Sequence, residues 1–268
     1  FYSIPKIKRM LKKIIKIVLI SLLVLIVAAF AAPYLFKGQI VSLVNKEINK
    51  RINAKVDFKD VDISFFRHFR KVAVGLDDLQ VIGTGVFAAD TLVSAKRIDA
   101  ALNIMSVIKG KDMTIYSVSV ESPRIHAIVN KDSLVNWNIM KPDTAASAAT
   151  GEKPFKMALQ QYGLQNAYIS YKDETAGIGT EIFNLNHNGS GDFTSDLFTL
   201  KTSTSAALVT VTYVGVAFLS NAKAVADADI QVDNKKNIYR FTTDKITVND
   251  IKISVEGSIK NLAEKGYD

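Results

Sequence analysis

Residues 97–104 read Arg-Ile-Asp-Ala-Ala-Leu-Asn-Ile, and residues 251–256 read Ile-Lys-Ile-Ser-Val-Glu. A period of two puts Ile98, Ala100, Leu102 and Ile104 on one side of the first stretch, and Ile251, Ile253 and Val255 on one side of the second. Strands with one apolar and one polar face follow from that alternation. Further strand-like runs cover 56–65, 114–120, 124–129, 167–171, 208–218 and 224–232. Turn-forming residues separate most of them: Gly83-Thr84-Gly85, Lys109-Gly110-Lys111-Asp112, Gly177-Ile178-Gly179 and Asn188-Gly189-Ser190-Gly191. The body is therefore predicted to be mainly β, an antiparallel meander over about 55–268. Residues 142–154, bracketed by Pro142 and Pro154 and poor in large apolar side chains, divide it as a linker or long loop. The β regions on either side are 55–141 and 155–268. Their adjoining segments share apolar spacing: Val120, Pro123, Ile125 and Ala127 match Leu164, Ala167, Ile169 and Tyr171. Two copies hint at a repeat that stacks edge to edge and extends a sheet.

Upstream, the pattern changes. From Ile17 to Phe36 twenty residues carry no charge, and an apolar helix of that length spans about 30 Å, the thickness of a bilayer core. Its thirteen Ile, Leu, Val and Phe residues, among them Ile17, Leu22, Leu25, Phe30 and Phe36, favour insertion by roughly 4–8 kcal/mol. Residues 1–16 hold six of the eight net positive charges and no acid. Positive flanks stay in the cytoplasm, so the expected topology is a single-pass membrane anchor with the N-terminus inside and the body outside. A cleaved signal peptide is the rival reading, given the small-x-small site Ala29-Phe30-Ala31, but the apolar run exceeds the usual signal-peptide core. Residues 37–54 then place Ile40, Val41, Val44, Ile48 and Ile52 on one face of an amphipathic helix, lying on the membrane or capping the sheet.

Because the basic charge sits beside the anchor, it gives no ground for a nucleic-acid partner. The chain has 268 residues and no cysteine, which removes disulfides, thiolate metal sites and cysteine nucleophiles. His68, His126 and His187 lack metal-ligand spacing, and neither a nucleophile elbow nor a phosphate loop occurs. Gly83-Thr84-Gly85-Val86-Phe87-Ala88 has only the outline of a dinucleotide loop and reads better as a turn. Asp227, Asp229 and Asp233 resemble a calcium cluster less than the solvated side of a strand. Asn188-Gly189-Ser190 fits a glycosylation acceptor, and a tight turn uses the same residues. No cofactor, metal or catalytic residue is expected.

Residues 98–137 carry a resemblance. A strand before the turn at 106–110 is followed by Ile115-x-x-Val118-x-Val120-x-x-Pro123-x-Ile125 and by the Asn136-Trp137 pair. This order, with the anchor, amphipathic helix and first strand before it, resembles the N-terminal region of AsmA-like proteins over residues 10–141. Beyond the linker the likeness weakens to repeat-like spacing. The glycine usual shortly before Asn-Trp is replaced here by Ser133 or Leu134. The resemblance implies an inner-membrane-anchored, periplasmic protein related to bridge-like lipid-transfer proteins, which support outer-membrane assembly and lipid homeostasis. It also implies an extended, curled sheet whose apolar groove shields phospholipid acyl chains, with an outer-membrane or envelope protein as a further partner.

On that reading Ile98, Ala100, Leu102, Ile104, Ile251, Ile253 and Val255 line the groove, and Trp137 is a buried packing residue. Two other classes stay open: a membrane-anchored structural or adaptor protein with a filled β core, and an envelope enzyme. Periodicity alone does not separate a lipid groove from a dry core.

Overall fold

Alternating apolar and polar residues become strands along nearly all of the chain that the computed structural model describes, namely residues 52–68, 71–103, 115–141, 157–262 and 266–267. Lys16, Ile20, Gly38, Val41 and Ser42 are also described, each in helical conformation. The strands are β1 (Lys55–Asp57), β2 (Asp60–His68), β3 (Lys71–Ile82), β4 (Thr91–Asn103), β5 (Ile115–Glu121), β6 (Arg124–Val129), β7 (Met157–Asp173), β8 (Ile178–Ser190), β9 (Leu197–Tyr213), β10 (Val216–Asp233), β11 (Ile238–Val248), β12 (Ile251–Leu262) and β13 (Gly266–Tyr267). All belong to one sheet, ordered β1, β3, β4, β5, β7 and then β8 to β13 in succession; β2 pairs with β3, and β6 with β4 and β7.

The sheet is mixed, which corrects the expected antiparallel meander. β5 and β6 follow one another in the same direction across Ser122 and Pro123, and both run parallel to β7. A parallel neighbour requires a long crossover, and residues 130–156 supply the chain for it. The two segments with matching apolar spacing are the ones brought together: Val120 pairs with Leu164, Ile125 with Ile169 and Ala127 with Tyr171. Parallel pairing aligns equivalent positions, so like residues fall side by side.

Short turns make the remaining hairpins. Val214 and Gly215 both hold positive φ, 48° and 80°, as a two-residue hairpin turn between β9 and β10 requires. The run 208–218 is therefore two strand ends and a turn, not one strand. At 174–177, one carboxylate oxygen of Asp173 accepts hydrogen bonds from the Thr175 amide and hydroxyl and the Ala176 amide. Those donors hold its carboxyl below the usual carboxylate range. Asn188–Ser190, read as a turn, instead lies inside β8, and the chain leaves the strand only at Gly191. Gly189 serves close approach there, because a Cβ would lie 2.3 Å from the Tyr162 ring.

Asn166, Asn184 and Asn221 interrupt β7, β8 and β10 in the left-handed region that asparagine tolerates. Each steps the side-chain alternation by one residue. Thus Leu164 and Ala167, and likewise Ile182 and Leu185, flank such a residue and join the same apolar cluster with Ala206, Val209 and Ala224. Asp78 does the same in β3, where Leu79 and Val81 pack with Ala95, Ile98 and Val120. The interruptions keep one face apolar through strands of up to 18 residues.

Trp137 is the clearest departure from expectation. The residue is 42 % exposed, its ring 6.1 Å from the Tyr171 ring, whereas neighbouring Asn136 is 3 % exposed. The Asn136 carboxamide accepts a hydrogen bond from the Ile128 amide (2.9 Å) and donates one to the His126 carbonyl (2.7 Å). Of the Asn-Trp pair it is the polar member that is buried, fastening the turn to β6. Ser133 holds φ 59°, a conformation easiest for glycine, which accounts for the glycine common near this place in the resembling proteins. At the other end of this segment Ile52 bridges Met140 and the Asn53 amide donates to the Ile139 carbonyl, so the expected amphipathic helix does not extend through 54.

Several expectations fall outside the described residues: the anchor positions Ile17, Leu22, Leu25, Phe30 and Phe36, the groove position Ile104, the turn at 109–112 and the linker at 142–154. Among the described residues no helix is long and apolar enough to cross a membrane.

Candidate apolar face and its polar centre

Hydrogen-bonded register partners point to the same side of a sheet, so the pairings trace rows across it. One row runs Val61, Leu76, Ile98, Val120, Leu164, His187, Thr204, Ala226, Ile246 and Ile253, one residue from each of ten strands. At strand spacings of about 4.8 Å it is about 43 Å long. A second row joins Val74, Ala100, Val118, Tyr162, Gly189, Thr202 and Ala228. A third joins Ala167, Leu185, Ala206, Ala224, Val248 and Ile251.

Ile98 and Ile253 thus share the first row, Ala100 lies in the second and Ile251 in the third. Leu102 is opposite Ile115, and Val255 opposite Thr243. Most of this face is half-buried, from Ile98, Val120 and Leu164 to Ala226 and Ile246; Ile251, at 65 % exposure, marks how it opens toward β12. Extensive contacts among the described strands run only between hydrogen-bonded neighbours, so among the described residues no second layer covers the apolar face, and only Ala54, Phe58 and Ile139 pack onto it from outside the strands, at the end holding Leu79 and Ala95.

The opposite face is polar. Arg97 reaches Asp99 and Asp77 at 2.9 Å and Asp62 at 3.1 Å, and its guanidinium lies over Gly75, where a Cβ would come within 2.3 Å. Hydrogen bonds to these carboxylates, first of all Asp99, raise its pKa further. A hollow on the same side, between β5 and β10, is lined by Ser119, Gln161, Gln165, Asn188, Lys201 and Asp227. Asp227 Oδ1 is buried there without a hydrogen-bond partner. Asp227 and Asp229 pair with Ser203 and Lys201 across β9, while Asp233 ends β10 and meets Lys236.

At the middle of the apolar face the two longer rows turn polar. His187 Nδ1 lies 2.8 Å from Thr204 Oγ1, and Nε2 lies 3.3 Å from the Tyr162 hydroxyl. Burial pushes the imidazole pKa down, with no other cause opposing it. Each polar atom has a partner within the trio, which lets the group sit among apolar neighbours without large cost. The trio is not apparent in the sequence: its members are 25 and 17 residues apart, on three strands, and only the registers bring them together.

A model of the AsmA family matches residues 8–248, extending well past 141, where the sequence likeness weakens. No curated protein and no solved structure matches the chain.

Proposed function

The chain belongs to the AsmA family, and from that premise we propose that it is an envelope protein supporting outer-membrane assembly and lipid homeostasis by shielding or conducting phospholipid acyl chains along its apolar face. The observation that carries this reading is the row from Val61 to Ile253, a path across ten strands that is apolar except at His187 and Thr204, with no second layer over it among the described residues. Hydrocarbon laid on such a face leaves water without breaking any backbone hydrogen bond, since the strands satisfy one another. Headgroups stay in solvent beyond the rows. In this proposal residues 17–36 anchor the chain in the inner membrane with the N-terminus in the cytoplasm, the body works in the periplasm, and the role is carriage without catalysis.

Photo-crosslinking residues placed at Leu102 or Ile253 in the full chain in native membranes test the reading. They are expected to capture phospholipid, whereas Asn103 and Ser254, one residue along on the opposite face, capture far less. Capture of protein alone from Leu102 and Ile253 would mean a filled core. Equal lipid capture from both faces would mean unspecific membrane contact, and either result removes the proposal.

A further inference from the structure

We propose that Tyr162, His187 and Thr204 form a docking point for the anionic end of a single-chain amphiphile, a carboxylate or a phosphate monoester whose tail lies along the apolar rows, and that one proton is taken up with it. This rests on the lipid-carrying reading of the apolar face.

A neutral imidazole carries one N–H. It donates to one of its two hydroxyl partners and accepts from the other, so one hydroxyl hydrogen is spent inside the trio. When the ring is protonated, both nitrogens donate. The hydroxyl hydrogens of Tyr162 and Thr204 are then both released to point at a ligand, beside a new positive charge. An anion on a half-buried apolar surface needs such a partner, because desolvating a lone charge is costly.

Among the described residues no other charge lies beside His187 on this face. The residues around His187 on β7, β8, β9 and β10 are Leu164, Ala167, Leu185, Gly189, Thr202, Ala206 and Ala226, none of them ionisable. Tyr162 is the other titratable group, and the ionisable Asp227 points to the opposite side, pairing with Ser203. Burial lowers the imidazole pKa, so without ligand the ring is neutral at pH 7 and the proton arrives with the anion. From His187 the row continues through Leu164, Val120 and Ile98 to Leu76, about 19 Å of apolar surface at about 4.8 Å per strand, which receives the tail.

The test uses the full chain in nanodiscs of zwitterionic phospholipid and photoactivatable sixteen-carbon probes ending in a carboxylate, a phosphate or a hydroxyl. Competition curves for labelling on β7 to β9 are measured between pH 8 and pH 6. For at least one anionic probe, affinity is expected to rise by up to about tenfold per pH unit as pH falls, as one-proton linkage requires. The alcohol should show no such rise. His187→Gln, which can still bond both hydroxyls but cannot take up a proton, should flatten the anionic curve and leave alcohol labelling intact. Comparing the carboxylate and phosphate arms identifies which anion is the ligand. The inference is overturned if neither anion shows the rise, or if His187→Gln keeps it. Absence of labelling by alcohol, anions and phospholipid alike would instead overturn the lipid-carrying reading beneath it.

Discussion

Asn136→Ala removes a buried carboxamide that closes two backbone groups of β6, the Ile128 N–H at 2.9 Å and the His126 carbonyl at 2.7 Å. A buried backbone group left unpaired costs about 1–3 kcal/mol, so the pair gives an expected loss of about 2–6 kcal/mol. Against a usual domain stability of about 5–15 kcal/mol that is a large fraction. Urea unfolding followed by circular dichroism reads the whole sheet, while the fluorescence of Trp137, the chain's single tryptophan, reads the turn itself. Asn136→Asp sharpens the test. The carboxylate can still accept from the Ile128 amide but repels the His126 carbonyl unless it is protonated, so its folded pKa should rise. The variant should therefore match the parent more nearly below the unfolded carboxyl value of about 3.9, and lose stability as pH climbs from there through the folded value. An Asn136→Ala midpoint equal to wild type by both probes, together with a pH-independent deficit in Asn136→Asp, would falsify the anchoring role.

Gly215→Ala isolates a backbone effect, because nothing lies within 4 Å of the added Cβ while φ is 80°; the expected cost is about 1 kcal/mol in urea unfolding, and a neutral result would discard the turn assignment. Gly189→Ala instead drives a methyl into the Tyr162 ring at 2.3 Å, with an expected cost of about 1–3 kcal/mol and a changed NMR titration of His187; an unchanged titration would show that Tyr162 does not pack on it. His187 itself has a lowered folded pKa, so between that value and the unfolded 6.5 the unfolded chain binds a proton that the folded one lacks. Stability should fall as pH drops through that window, and His187→Gln should remove that part of the slope; an identical slope in both proteins would count against a desolvated ring.

Much of the fold was legible where alternation is uninterrupted. Residues 124–129 are a strand with the bounds their apolar spacing suggests, and 97–103 and 251–256 lie within β4 and β12. What escaped has physical causes. The run at 167–171 begins after Asn166 because a left-handed residue resets the alternation; the strand passes through it and starts at Met157. A β-branched valine at φ 48° concealed the turn at 214–215, since Val214 looks like strand and not like a corner. Parallel pairing of β5 and β6 with β7 has no local trace at all. The matched spacing around Val120 and Leu164 suggested adjacency without direction. Trp137 was assigned to the interior from its place in the family pattern, yet Asn136 has the hydrogen-bonding geometry that closes β6. The polar trio was hidden most completely, because a search for metal-ligand spacing around His187 says nothing about hydroxyls on neighbouring strands.

The parallel seam also divides the molecule in time. Pairings from β7 to β12 close turns of two to six residues, and β2 to β5 are likewise joined in sequence order, whereas Val120 meets Leu164 across 44 positions of chain. Closing that loop has to be paid in entropy before any of its hydrogen bonds form. Hairpins on either side can nucleate independently, and their docking along β5, β6 and β7 becomes the late, slow event. In the native state the same line is where hydrogen exchange is expected to divide the amide protons into two cooperative units, and a single protection class across β4 to β8 would refute that division. The row that crosses ten strands is therefore continuous in space but assembled from two pieces, joined where Val120 meets Leu164.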